Sequence, residues 1–110
     1  MRHRGLRILQ RNYRCPHGEI DLVAEDGPTL VFVEVKTRAA ESDELPEAAL
    51  TPRKRHRLCR AARHFMQTFH TGDRLFRFDL VGIELFPDGS HRIHHWSNII
   101  NYQQNLRRRH

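Results

Sequence analysis

Two alternating segments joined by a tight turn constrain this chain more than anything else in it. Residues 19–25 (EIDLVAE) and 29–37 (TLVFVEVKT) flank Asp26-Gly27-Pro28. Period-two alternation, enrichment in Val and Phe, and turn residues between the runs predict a β-hairpin. In the first run Glu19, Asp21 and Val23 share one face, and Ile20 and Leu22 the other. In the second, Leu30, Phe32, Glu34 and Lys36 share a face opposite Val31, Val33 and Val35. A one-residue slip would turn an aliphatic row to the wrong side, so the register must bring the two rows together. A tight turn with Glu25 opposite Pro28 pairs Asp21 with Phe32 and Glu19 with Glu34. Asp21 then lies diagonal to Glu34, about 7 Å away at the backbone. Lys36 is about 7 Å further along the same face.

The remaining segments place this hairpin in an α/β chain. Residues 6–14 (LRILQRNYR) read as a first strand, with turn chemistry in Cys15-Pro16-His17-Gly18. Residues 39–50 are acidic and irregular, a loop of about a dozen residues. Thr51 suits an N-cap and Pro52 the first helical position. Leu58, Ala61, Ala62, Phe65 and Phe69 follow at helical spacing, Arg53, Arg57, Arg60, His64 and Gln67 share another face, and Gly72 ends the helix. Residues 75–86 predict a long strand, 87–89 a turn, 90–95 another strand and 97–106 a terminal helix. The order is strand, hairpin, helix, strand, strand, so the expected fold is an α/β mixed sheet with a helix crossover. A length of 110 residues suits one domain, with residues 107–110 as a basic tail.

Composition narrows location and partners. No run of about 18 apolar residues crosses a membrane, and no apolar stretch after the basic start suits a signal peptide. Cys15 and Cys59 lack CxxC spacing and read as structural thiols of a reducing compartment, so the expected location is cytoplasmic. Nineteen Lys and Arg face thirteen Asp and Glu, for a net charge of +6. All the cations but Lys36 and Lys54 are arginines. An Arg-rich surface favours bidentate phosphate contacts and hence a nucleic-acid partner, DNA or RNA. Arg-rich codon usage is the bland account of the same count. Arg53, Lys54, Arg57 and Arg60 on the helix are the candidate contacts, with Lys54 in line with Leu58 and Ala61 and aimed at the sheet edge.

Chemistry concentrates on the hairpin. Carboxylates facing each other across strands repel, and a hard divalent cation removes that cost. Asp21, Glu34 and the backbone carbonyl of Val35 are donors that Mg²⁺ or Mn²⁺ accepts. Such an ion acidifies bound water and neutralises charge on a phosphodiester. Lys36 beside it can orient the water or hold the phosphate, and Glu19 can support the pair. The bland account is a solvated Glu34–Lys36 pair. Asp79 sits in an apolar run and needs a partner, which on this reading is not Arg77; a supporting role at the site is its functional alternative. His91, His94 and His95 read as surface residues, without a zinc set. Trp96 reads as a core residue or interface anchor rather than a base-stacking one.

The motifs G-E-I-D-L-V (residues 18–23), T-L-V-F-V-E-V-K-T-R (29–38), T-P-R-K (51–54) and R-F-D-L-V (77–81) closely resemble those of bacterial YraN-like proteins. These are similar to restriction-endonuclease-like PD-(D/E)xK nucleases and archaeal Holliday-junction resolvases. The resemblance covers roughly residues 5–100. It implies a restriction-endonuclease-like fold with flanking helices, Asp21 and Glu34 as metal ligands and Lys36 as catalytic lysine. Members usually begin with a helix carrying a G-E-x-x-A motif whose glutamate faces the site. The expected departure is that this helix is missing, since no Asp or Glu precedes Glu19. The leading expectation is a metal-dependent nuclease acting on branched or structured DNA. The alternatives are a non-catalytic nucleic-acid-binding module and a protein–protein adaptor. Related nucleases often dimerise to cut two strands, which leaves a homodimer as one assembly open to this chain, although the sequence does not settle the oligomeric state.

Overall fold

The computed structural model describes residues 5–40 and 50–100. Its elements are β1 (Arg7–Cys15), β2 (Gly18–Asp26), β3 (Thr29–Ala39), α1 (Pro52–Thr68), β4 (Phe76–Leu85) and β5 (His91–Trp96). The five strands form one sheet in sequence order. All neighbours are antiparallel except β3 and β4, which are parallel and joined through α1. The α/β mixed sheet expected from the sequence is therefore present, with one flanking helix among the described residues. The predicted terminal helix does not begin within residues 97–100. Its remainder, the basic tail and most of the predicted acidic loop lie outside the described residues. No helix is long and apolar enough to cross a membrane among the described residues.

α1 starts as its sequence predicts. Thr51 Oγ1 accepts the Lys54 amide at 3.2 Å and Pro52 occupies the first turn. Leu58, Ala61, Ala62 and Phe65 are buried against Tyr13, Ile20, Val23, Leu30, Phe32 and Phe78 on one face of the sheet. Phe69 was expected on this stripe but is 51% exposed. It is the C-cap at the end of the stripe, and its ring still packs on Phe65, with centroids 4.6 Å apart, and against Tyr13.

The β2–β3 hairpin turns on two residues, as the sequence suggested, but one position further along the chain. Asp26 faces Thr29, leaving Gly27 and Pro28 alone in the turn, and the ladder runs to Leu22 opposite Val33. The expected Asp21–Phe32 and Glu19–Glu34 pairs are thus displaced by two residues. An even shift keeps every side chain on its face. Strict alternation does fail, however, at Asp21. Leu22 packs with Leu6, Ala24, Val31, Val33 and Val81 on the far face, whereas Ile20 packs on the helix side. The cause lies across the β1–β2 ladder. Arg11 faces Leu22 and Tyr13 faces Ile20, and between them Asn12 takes φ 53°. Asn tolerates this left-handed geometry, and the kink turns Tyr13 and Ile20 toward α1.

On the far face Asp79 is fully buried. Its Oδ1 accepts from Arg77 Nε at 3.1 Å and from the Asn98 amide at 2.8 Å. Its Oδ2 lies 2.7 Å from His95 Nε2 and 3.3 Å from Arg77 Nη2. Arg77 also reaches Asp26 at 2.9 Å. This corrects two expectations. Arg77 is a partner of Asp79, because residues two apart on a strand share a face, and the His95 side chain is only 4% exposed rather than a surface group. The hub ties β4, β5, the hairpin tip and the chain after β5 together. Asp79→Ala leaves Arg77 and His95 facing an empty acceptor, so urea unfolding should show a loss of about 3–5 kcal/mol. A loss below ~1 kcal/mol would show that the hub is not the clasp described here.

Candidate metal and nucleic-acid site

Beyond Leu22 and Val33 the hairpin ladder has no further pairs, although both strands continue. The Val35 amide donates instead to Asp21 Oδ2 at 2.7 Å. A carboxylate thus replaces the carbonyl that a regular ladder would present. Continuing the register by one step sets Asp21 opposite Glu34 rather than diagonal to it.

Glu34 shows what this proximity does. Its carboxyl is held above the usual carboxylate range, first by burial and then by the Asp21 charge. Lys54 and Lys36 act in the opposite direction, and Glu19 adds a smaller repulsion. Asp21, Glu34, Lys36 and Lys54 are therefore close enough to sense one another on one patch. Lys54 acts on it from the first turn of α1, where the residue is exposed.

The other sequence candidates fall at different distances from this patch. Glu19 is exposed and lies 3.8 Å from Arg14, at the margin of the site. Asp79 pairs with Val33 on the far face of the sheet, whereas its neighbour Leu80 pairs with Glu34. It does not join the carboxylates. Arg53 and Arg60 are exposed on α1. Arg57 lies across the β1–β2 turn, its Nε 3.7 Å from where a Cβ on Gly18 would stand. A Cβ there would only touch the arginine, and it is the φ of 145° that favours glycine at this turn; Arg57 flanks the patch together with Lys54.

Among the described residues no three His, Cys, Asp or Glu groups are arranged to hold a metal ion. Two carboxylates nevertheless suit Mg²⁺, which is commonly bound through one or two of them and completed by waters and substrate phosphate. Burial and like charge disfavour an ionised Glu34, and a cation relieves both. The donor set of Asp21, Glu34 and the Val35 carbonyl fits such an ion on chemical grounds.

β4 and β5 adjoin this patch through a glycine. Gly82 pairs with both Lys36 and His94, and an added Cβ would meet Trp96 Cζ3 at 2.9 Å. Glycine in a strand that lets another group approach closely was the available signal.

A family model described as "Uncharacterised protein family UPF0102" matches residues 1–83. The UPF0102 protein of Syntrophus aciditrophicus is 45% identical over 85 residues, covering 77% of this chain and 67% of that protein. The one from Moorella thermoacetica is 46% identical over 81 residues, covering 74% and 68%. The one from Oleidesulfovibrio alaskensis is 54% identical over 77 residues, covering 70% and only 38%. The matches thus span between 38% and 68% of these three relatives' lengths. Asp21, Glu34, Lys36 and Lys54 lie within the matched residues, and β5 lies beyond them.

The raised Glu34 carboxyl has a thermodynamic signature. The folded chain holds its proton to higher pH than the unfolded chain, so stability falls as pH rises through the interval between the two values. Without divalent metal, Glu34→Gln should melt a few degrees above wild type at pH 7–8. The difference should shrink as pH falls to about 4, where the unfolded carboxyl also protonates. A variant that melts below wild type at neutral pH would contradict this account of the charge pair.

Proposed function

The chain belongs to the uncharacterised protein family UPF0102, and from that premise we propose that it is a metal-dependent nuclease. It hydrolyses phosphodiester bonds, with branched or otherwise structured DNA as substrate. The observation that carries this reading is the Asp21 carboxylate held 2.7 Å from the Val35 amide on β3, beside Glu34 and Lys36. The restriction-endonuclease-like arrangement inferred from the motifs supports it.

Asp21 and Glu34 would hold Mg²⁺ or Mn²⁺, with the Val35 carbonyl beside them. The bound ion would acidify a water and neutralise charge on the phosphodiester. Asp21 is oriented by the Val35 amide, and its carboxylate has further acceptor capacity for a cation. Lys36, on the face of Glu34, donates to the scissile phosphate or to the attacking water and holds either in place. Lys54 and Arg57 hold neighbouring phosphates, an arrangement aided by the positive end of α1. This work belongs in the cytoplasm, and a pair of copies would serve a substrate with two strands to cut.

A second reading, a nucleic-acid-binding module without catalysis, is favoured by one observation: Arg53, Arg57 and Arg60 are all exposed on α1. Cleavage of single-stranded, duplex, flap and four-way-junction DNA, and of RNA, with Mn²⁺ or Mg²⁺ separates the two. Metal-dependent cutting should fall ~10²-fold or more in Asp21→Asn, Glu34→Gln and Lys36→Ala. Cutting that persists in all three would place the chemistry elsewhere. If nothing is cut, salt-sensitive binding that survives these changes supports the module. Arg57→Ala should then lower the salt slope by about 1.

A further inference from the structure

The helix-side face of the sheet continues past the carboxylates onto β4 and β5. The registers set Glu34, Leu80 and Trp96 in one row, and Lys36, Gly82 and His94 in the next. Residues paired in this way share a face. Trp96 and His94 are therefore two strand spacings, about 10 Å at the backbone, from Glu34 and Lys36.

The indole does not stay above its own row. Its Cζ3 and Cη2 atoms come within 2.9 and 3.3 Å of the position a Gly82 Cβ would take. It thus leans along the sheet into the row of Lys36, over a site kept open by glycine. The His94 ring stacks on it, with centroids 5.6 Å apart and planes 23° apart. Glu84 Oε1 lies 3.0 Å from His94 Nε2 and fixes the imidazole. The His94 side chain remains 37% exposed. Among the described residues, the helix-side core comprises Tyr13, Val23, Phe32, Phe65, Phe78 and their neighbours, and not Trp96. An oriented aromatic pair outside the core, one row from a lysine, has the chemistry of a base-stacking surface: a flat π-face beside a phosphate-binding cation.

We propose that His94 and Trp96 form a stacking platform for an unpaired nucleobase beside the phosphodiester bound at Asp21, Glu34 and Lys36. The substrate class is DNA that is unpaired at the cut, as in a flap, a single strand or an opened junction. This deepens the nuclease reading and rests on it. Lys36, Lys54 and Arg57 supply the positive charge for the strand's phosphates. A base inside a duplex has its faces already stacked and cannot reach the rings.

Trp96 is the only tryptophan in the chain, so intrinsic emission reports on the platform. The full chain is titrated in EDTA with an oligothymidine, a flap and a blunt duplex, and cleavage of the same DNAs is then measured with Mn²⁺. Single strand and flap should quench the emission, and duplex should leave it unchanged. Trp96→Leu should weaken binding to single strand and flap roughly ten- to hundredfold, whereas Trp96→Phe keeps most of it. The preference for unpaired over duplex substrate should fall in parallel. Wild-type binding to single strand without any emission change overturns the platform, whatever the variants do, and leaves the nuclease reading intact. Quenching with weakened binding in Trp96→Leu, but no cutting with any metal, upholds the platform and removes the nuclease reading. If no nucleic acid binds, both are overturned.

Discussion

Where the β2–β3 ladder stops at Leu22 and Val33, the Val35 amide needs another acceptor, because an unsatisfied backbone donor in a half-buried sheet is costly. The Asp21 carboxylate supplies it at 2.7 Å. That substitution fixes the geometry of the whole patch. It holds Asp21 against β3 opposite Glu34, and it requires the local change of face that Asn12 provides with φ 53°. The two carboxylates are neighbours because one of them is a structural member of the sheet. The electrostatic cost falls on Glu34, whose carboxyl rises above its usual range. Charge stored unfavourably on a rigid element is a feature of functional sites, and here its origin is a backbone hydrogen bond.

The sheet separates two kinds of acid. Asp79 is fully buried, but its oxygens meet a guanidinium, an imidazole and an amide, so its charge is satisfied within the protein. Glu34 is only partly buried and meets another carboxylate. The first arrangement fixes the fold and the second leaves a deficit that a ligand could fill. Val33 and Glu34, adjacent in β3, pair with Asp79 and Leu80 respectively, so the pleat alone keeps the two environments apart.

Much of this was legible in the sequence, for specific reasons. The alternation in residues 19–25 and 29–37 made the hairpin and the shared face of Glu34 and Lys36 readable, because period two survives any even change of register. The Thr51-Pro52 start fixed the beginning of α1 and with it the buried row of Leu58, Ala61, Ala62 and Phe65. The register itself was not readable, since two-residue turns at Asp26-Gly27 and at Gly27-Pro28 differ by an even displacement and satisfy the same aliphatic pattern. The break at Asp21 was hidden for another reason: it depends on Asn12 in the neighbouring strand, which no local pattern connects to it. Arg77 and Asp79, two apart on one strand, share a face and pair there, whereas the burial of His95 against Asp79 depends on the β4–β5 pairing, which a His-rich strand does not reveal.

Charge at the start of α1 is the last constraint. Its first turn contains no acidic residue, and Arg53 and Lys54 oppose the helix dipole at a cost of a few tenths of a kcal/mol each. Thr51 offsets part of that through its cap. Lys54 recovers more by facing Glu34, whose ionised form it favours. The arrangement is sensible only as a unit. Without the carboxylates the lysine would sit at the wrong end of a helix, and without the lysines the two carboxylates would repel with nothing to offset them. With Lys36 and Lys54 set against Asp21 and Glu34 the local charge nearly cancels. On the proposed function, a cation and a phosphate would enter such a patch together more readily than either alone, because each neutralises what the other brings.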